Sequence, residues 1–260
     1  VLTRSQFDWV RTYARERAGI NLTEAKYDLV YSRLVRRIRA LGLDAFSPHF
    51  DRLASGDETE ARELINALTT NVTAFFREAH HFTFLAENAR KPPGRPFRVW
   101  SCACSTGEEP YSVAITLREC NVAHQLLASD LDTAVLRTAA RGVYGRDKVA
   151  MLSRARLERW FYEGRGRRSG SVRVKPELGR HLEFRQINLI DAWSIRGPLD
   201  AIFCRNVIIY FDRPTQDELM RRFADALRPG GHLFLGHSES VRGSPRFELV
   251  GRTTYQRTAK

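Results

Sequence analysis

The chain has 260 residues, of which 43% are hydrophobic and 28% charged, with a formal net charge of +12. That size and apolar content suffice to bury a full core in one large domain or two modest ones, without staples. No apolar run approaches the roughly 18 residues of a membrane span and no signal pattern opens the chain, so a cytoplasmic protein is expected. Because the first residue is Val, the native N-terminus is expected to be longer than the one given. Cys102, Cys104, Cys120 and Cys204 form neither a C-x-x-C pair nor a zinc set, which predicts free thiols. His80 and His81, the only adjacent histidines, are expected to point to different sides of a helix, and no metal is expected. The positive charge favours an acidic partner without choosing among nucleic acid, membrane and protein.

From Leu2 to about Thr69 the pattern is helical. Phe7, Val10 and Ala14 share a face, Gly19 ends the first helix, and Asn21 with Glu24 resembles a capping box. In the next helix Tyr27, Tyr31, Leu34, Ile38 and Leu41 recur at helical spacing, while Arg33, Arg36, Arg37 and Arg39 crowd the remaining surface. Ser47-Pro48 reads as a cap and first-turn proline opening a short helix. Lys91-Pro92-Pro93-Gly94-Arg95-Pro96 reads as a linker. Beyond it, strands expected at Phe97 to Trp100, Leu126 to Ser129, Phe184 to Asn188, Ala201 to Cys204 and His232 to Gly236 are separated by helices near Tyr111 to Glu119, Thr133 to Arg141 and Gln216 to Leu227. Such α/β alternation predicts a doubly wound parallel sheet, closed by strands around Phe247 to Val250 and Thr254 to Gln256. About forty residues between Arg141 and Phe184 are too many for a crossover loop. Their glycines and Val172-Arg173-Val174 suggest an inserted hairpin.

The segment Arg98-Val-Trp-Ser-Cys-Ala-Cys-Ser-Thr-Gly-Glu-Glu-Pro110 runs from strand through a loop of small residues into a helix, the place where doubly wound folds let a ligand approach backbone. It is neither a dinucleotide fingerprint nor a phosphate loop. Glu108 and Glu109 would repel a pyrophosphate but suit a cationic, phosphate-free cofactor such as S-adenosylmethionine; acids on a helix dipole are the plainer alternative. Asp130, just past the second strand, is placed to accept ribose hydroxyls, or to cap the following helix. Asn188-Leu189 and Arg205-Asn206 follow the third and fourth strands, where amide or backbone contacts with a ligand and ordinary turn roles compete.

Asn71-Val-Thr-Ala-Phe-Phe-Arg-Glu78, Val99-Trp-Ser, Ser105-Thr-Gly-Glu-Glu-Pro-Tyr-Ser112, Ala128-Ser-Asp130, Asp200-Ala-Ile-Phe-Cys-Arg-Asn206, Tyr210-Phe211 and Gly236-His-Ser-Glu239, with Leu34-Val-Arg-Arg-Ile-Arg39, resemble in order the signature set of the chemotaxis receptor methyltransferase (CheR) family. The resemblance spans nearly the whole chain. It implies a helical substrate-docking domain at 1–70, a connecting helix and linker at 71–96, and a class I methyltransferase domain at 97–260 with a small antiparallel β subdomain inserted at about 158–186. It further implies that Asn71, Thr73, Arg77, Glu109, Asp130, Asn188, Leu189, Arg205 and Asn206 line an S-adenosylmethionine pocket, which releases S-adenosylhomocysteine as product, between the two domains. Cys102 and Cys104 stand where the family often has alanine, and oxidation there is expected to disturb the pocket.

The implied reaction is esterification of chemoreceptor glutamates. A glutamate is already ionised at neutral pH and needs no general base, so Arg77 is the first candidate to orient a carboxylate. Tyr210 is the second, as a wall of the methyl-transfer site; it could equally be core. Arg33, Arg36 and Arg37 are candidates to dock an acidic receptor helix, the plainer alternative being a solvated face. Gly164, Gly166 and Arg173 belong to a region that resembles the family's peptide-binding branch, in which the β subdomain takes a C-terminal receptor peptide by strand addition. The chain is expected to act as a monomer, without nucleic acid or membrane insertion. A nucleic-acid methyltransferase of the same fold and a non-catalytic receptor-binding module are the competing readings. Cys204-Arg-Asn-Val-Ile208 lacks the Pro-Pro-Tyr of base-amine methyltransferases.

Overall fold

The computed structural model describes residues 1–89, 94–195 and 197–259. The chain forms two compact units, one of residues 1–70 with 210–216, the other of 71–209 with 217–260. The expected linker residues Lys91, Pro92 and Pro93 lie outside the described residues.

The first unit holds α1 (Arg4–Ala18), α2 (Tyr27–Ala40), α3 (Ser47–Ala54) and α4 (Glu58–Leu68). Phe7, Val10 and Ala14 of α1, Val30, Leu34 and Ile38 of α2, and Leu64, Ile65 and Leu68 of α4 are buried, three stripes at helical spacing. The caps differ from expectation. Thr3 and Gln6 form the capping box of α1, whereas Glu24 pairs with Arg4 and Arg11 and the Asn21 N–H donates to the Tyr210 carbonyl. Ser47 is the first residue of α3 rather than its cap.

Arg33 and Arg37 are not a solvated face. The Arg33 guanidinium donates to the carbonyls of Ala67 (3.2 Å), Leu68 (2.5 Å) and Thr69 (2.7 Å), which the end of α4 leaves without helical partners. Arg37 forks onto buried Glu60 at 2.8 and 2.5 Å, and His49 Nε2 lies 2.7 Å from the same carboxylate. Burial works against the Glu60 charge, but Arg37 and His49 outweigh it and hold the carboxyl below its usual range. Only Arg36 and Arg39 of the four remain exposed.

In the second unit α5 (His80–Ala89) precedes β1 (Phe97–Cys102), α6 (Glu108–Glu119), β2 (His124–Asp130) and α7 (Thr133–Arg141). Next come β3 (Val143–Gly145), α8 (Arg154–Trp160), β4 (Phe161–Glu163), β5 (Ser171–Val174), α9 (Pro176–Gly179) and β6 (Leu182–Gln186). The chain closes with β7 (Leu199–Cys204), α10 (Arg213–Ala226), which belongs to this unit from Asp217 on, β8 (Leu227–Leu235), β9 (Phe247–Gly251) and β10 (Thr254–Arg257). The main sheet runs β6-β2-β1-β7-β8-β10-β9. Its first five strands are parallel, and β10 pairs antiparallel with β8 and β9. Every residue of β7 is buried, as a central parallel strand requires. Trp100 fills the centre of the sheet and donates its indole N–H to Ser129 Oγ at 2.9 Å. On the amino side of β7, buried Asp200 accepts from Arg95, Arg228 and the Arg98 backbone at 2.7–2.8 Å, a structural acid remote from the strands' carboxyl ends.

The insertion departs from the expected hairpin and from its expected bounds of 158–186. It is a three-stranded sheet in the order β3-β5-β4. Its first strand, three residues long, arrives directly after α7. Leu182–Gln186 instead pairs in parallel with β2 as the edge of the main sheet, where Leu182 and Phe184 pack on the core. Glycine is required at Gly164: a Cβ there would stand 2.0 Å from the Arg168 carbonyl. Among the described residues no helix is long and apolar enough to cross a membrane.

Candidate functional site

The carboxyl ends of β1, β2, β6 and β7 lead into the segments that carry most of the expected site residues, as the doubly wound topology dictates. After β1 the loop turns sharply, with Ala103 (φ 52°), Ser105 (φ 51°) and Gly107 (φ 97°) in the left-handed region. Two of these are not glycine, and each costs about 1 kcal/mol or more unless its surroundings hold it there. Asp130 supplies that hold. Its carboxylate accepts the Ser105 N–H at 2.8 Å and the Asp132 N–H at 2.9 Å. Burial pushes its pKa up to about 6, against the lowering effect of these bonds. The helix cap expected of Asp130 is made by Asp132, which accepts from the N–H groups of Ala134 and Val135 and from Asn71 Nδ2 at 2.9 Å. The Asn71 carbonyl takes the Ser105 hydroxyl at 3.0 Å. Segment 71–79, the β1 loop and the end of β2 therefore form one hydrogen-bonded unit.

A second network centres on Arg205, which is almost fully buried. It bridges Glu109 (3.0 Å), Glu78 (3.4 Å) and the Arg77 carbonyl (2.5 Å). Glu109 also accepts the Ser101 hydroxyl at 2.7 Å. Burial raises the Glu109 pKa, opposed by Arg205 and Ser101. For Glu78 burial is again the largest influence, but Arg205, His81 and His237 hold its carboxyl below the usual range. Arg77 itself folds back to donate to the Val72 carbonyl at 2.8 Å, and Phe76 (φ 53°) and Glu78 (φ 58°) are also left-handed.

Asn206 (φ 59°) and the residues after it are fixed by Glu239. That buried carboxylate accepts four backbone N–H groups: Asn206 at 2.8 Å, Gly236 at 2.7 Å, Ile208 at 2.7 Å and Ile209 at 3.3 Å. Gly236 cannot carry a side chain, since a Cβ would lie 2.2 Å from Asn206 Nδ2. The motif Gly236-His-Ser-Glu239 was visible in the sequence, but the clamp role of Glu239 was not assigned.

Asn188 and Leu189 follow β6 in a segment braced from outside. Arg222 lies over the Trp193 ring at 3.9 Å, donates to the Leu189 carbonyl at 3.0 Å and also to the Asp191 carbonyl. The indole of Trp193 donates to Leu189 as well. Thr73 is half-buried in segment 71–79. Tyr210 belongs to the helical unit. Of the residues expected to dock the receptor, Gly164 and Arg173 line a cavity of about 690 Å³ beside the small sheet; Gly166 is left-handed with open space around it.

The thiols differ from expectation in one respect. Cys102, Cys104 and Cys204 are completely enclosed, and burial drives their pKa values up. They are protonated packing groups without ready access for oxidants. The expectation that His80 and His81 point to different sides of the helix is also overturned. Their rings lie 4.1 Å apart, and with Glu78 they bring three donor atoms within 4.8 Å of one another. The turn at left-handed Glu78 precedes the helix and sends its carboxylate back over the first helical residues.

These groups suit S-adenosylmethionine. Acids and left-handed backbone surround the β1 loop where a phosphate binder would need cations and a glycine-lysine pair. Asp130 keeps lone pairs beyond its bonds to Ser105 and Asp132.

Comparison with known proteins agrees. Residues 5–69 match the family described as "CheR methyltransferase, all-alpha domain", and residues 71–256 match "CheR methyltransferase, SAM binding domain". The "Chemotaxis protein methyltransferase" of Salmonella typhimurium is 51% identical over 92% of this chain and 85% of its own. "Chemotaxis protein methyltransferase 2" of Pseudomonas aeruginosa is 49% identical over 97% and 93%, and the Escherichia coli "Chemotaxis protein methyltransferase" 46% over 98% and 91%. With the helical unit, the doubly wound sheet and the acid-lined loop in place, the chain belongs to the CheR family of S-adenosylmethionine-dependent methyltransferases.

Proposed function

We propose that the protein esterifies glutamate side chains on the cytoplasmic part of chemoreceptors, a reading that goes beyond the chemotaxis methylation named for its relatives. The observation that carries this reading is the network of Arg205, Glu109, Glu78 and Arg77 beside the β1 loop. It sets acids for a cation beside the β1 loop and fixes the backbone of Arg77, whose guanidinium is the donor for a carboxylate.

S-adenosylmethionine supplies an electrophilic methyl on a sulfonium leaving group. The residues of the chain supply position. Asp130 holds the ribose, Glu109 and the β1 loop face the positive end, and Asn71, Thr73, Asn188, Leu189, Arg205 and Asn206 complete the pocket. Arg77, with one nitrogen pinned on Val72, offers its other N–H groups to a carboxylate. An ionised glutamate is already a nucleophile, so alignment in line with the carbon–sulfur bond and exclusion of water lower the barrier, without a proton transfer.

Arg36, exposed on α2, attracts the acidic receptor helix. Around Gly164, Gly166 and Arg173, the free edges of β3 and β4 take a C-terminal receptor peptide as an added strand. The protein acts as a monomer in the cytoplasm.

The test incubates the protein and methyl-labelled S-adenosylmethionine with a receptor cytoplasmic fragment, the same fragment with its candidate glutamates changed to alanine, or an RNA pool. Base-labile label on the intact fragment alone is expected. Label on RNA, or label that survives the alanine changes, overturns the reading.

A further inference from the structure

The mechanism uses one oxygen of Glu78 at most, yet three donor atoms around it have no hydrogen-bond partner among the described residues. Glu78 Oε2, His80 Nε2 and His81 Nδ1 are all shielded from solvent and make no hydrogen bond among the described residues. Glu78 Oε2 lies 3.8 Å from His81 Nδ1. It also forms an ion pair with Arg205 at 3.4 Å.

The rest of the His81 ring is settled. Nε2 lies 3.1 Å from the Arg252 carbonyl and 3.0 Å from Thr253 Oγ1, so Nε2 carries the proton and the Nδ1 lone pair faces the cluster. A backbone carbonyl on the far nitrogen is the arrangement that orients metal-ligating histidines. His237 adds a further nitrogen, with Nδ1 3.4 Å from the other Glu78 oxygen.

We propose that Glu78, His80 and His81, joined by His237, form a binding site for a divalent transition metal of the zinc type. Two imidazoles and a carboxylate are the donor set such ions take, at bond lengths of about 2.0–2.2 Å. A metal would give each orphaned atom a partner after a contraction of the cluster that side-chain rotation provides. Arg205, a cation 3.4 Å from Glu78 Oε2, opposes it. The ion therefore binds by drawing Glu78 away from Arg205, and so loosens the bridge from Arg205 to Glu109 and the Arg77 carbonyl. Zinc and S-adenosylmethionine then weaken each other's binding, by the same factor in both directions.

The experiment is calorimetric titration of Zn²⁺ into the full chain, freed of affinity tag and stripped of metal, with metal analysis after dialysis and S-adenosylmethionine titrations with and without Zn²⁺. One zinc per chain is expected. His80→Gln should lower its affinity at least about tenfold, with S-adenosylmethionine affinity in metal-free buffer unchanged as proof of folding. His232→Gln, outside the cluster, should bind zinc like the wild type. An absence of zinc binding, or undiminished binding by His80→Gln, overturns the site; equal S-adenosylmethionine affinity with and without bound zinc overturns the coupling.

Discussion

Replacing Glu239 by Gln tests whether one carboxylate holds the β7 and β8 ends of the site together. The change is nearly isosteric, so packing is preserved. A carboxylate accepts all four N–H groups; a carboxamide offers one oxygen for one pair and turns its NH₂ against the other. Either Asn206 and Gly236, or Ile208 and Ile209, lose their acceptor. Two buried donors left unpaired cost about 1–3 kcal/mol each, so the variant should lose about 2–6 kcal/mol of stability. Urea unfolding with the slope held constant reads this directly. S-adenosylmethionine affinity, measured by calorimetry below the unfolding transition, should fall as well, because Asn206 relaxes from its left-handed conformation. A variant within about 0.5 kcal/mol of wild type, the scatter of surface substitutions, with unchanged affinity, refutes the clamp.

Four further outcomes are expected. Because the folded pKa of Asp130 lies above its ordinary value, its ionisation costs stability above about pH 6, up to about 3 kcal/mol, and that penalty vanishes below about pH 4. Unfolding free energies should therefore shift in favour of the wild type over Asp130→Asn as pH falls from about 7.5 to 5, while S-adenosylmethionine affinity weakens over the same range only in the wild type. On α2, Arg36→Glu should raise the KM for receptor and leave stability unchanged in a thermal melt. Arg37→Glu should lower stability by about 3 kcal/mol or more, since it strands buried Glu60. Arg222→Ala removes a ring contact and two backbone bonds around Leu189. S-adenosylmethionine Kd should rise about 5–30-fold, from about 1–2 kcal/mol, with kcat at saturation unchanged.

The sheet was legible because parallel strands announce themselves locally, as apolar runs of five to seven residues with small-residue turns between helical periods. The strand β3 was not, because Val143–Gly145 takes its partner from β5 far along the chain. The same limit governs the caps and the arginines. A helical wheel places Arg33 and Arg37 on the outer face of α2, but the carbonyls that close around Arg33 lie 34–36 residues away and Glu60 lies 23 residues away. The candidate site divides likewise. Positions just past strand ends follow from topology, so Asp130, Asn188, Arg205 and Asn206 could be singled out. Which groups bond one another could not: Asp132 rather than Asp130 caps α7, and Glu239 collects amides from two separate loops.

Phe76, Glu78, Ala103, Ser105 and Asn206 all have left-handed backbone without being glycine, and all lie in the segments that carry the proposed pocket. Such residues retain that geometry only while neighbouring hydrogen bonds enforce it. This rim of the sheet should open before the core does, and amide hydrogen exchange at Ser105 and Asn206 should report local opening rather than global unfolding. A bound ligand that closes over the rim would slow that exchange first and most. In the absence of ligand, limited proteolysis should cut here, leaving the helical unit and the strand core as the surviving fragments.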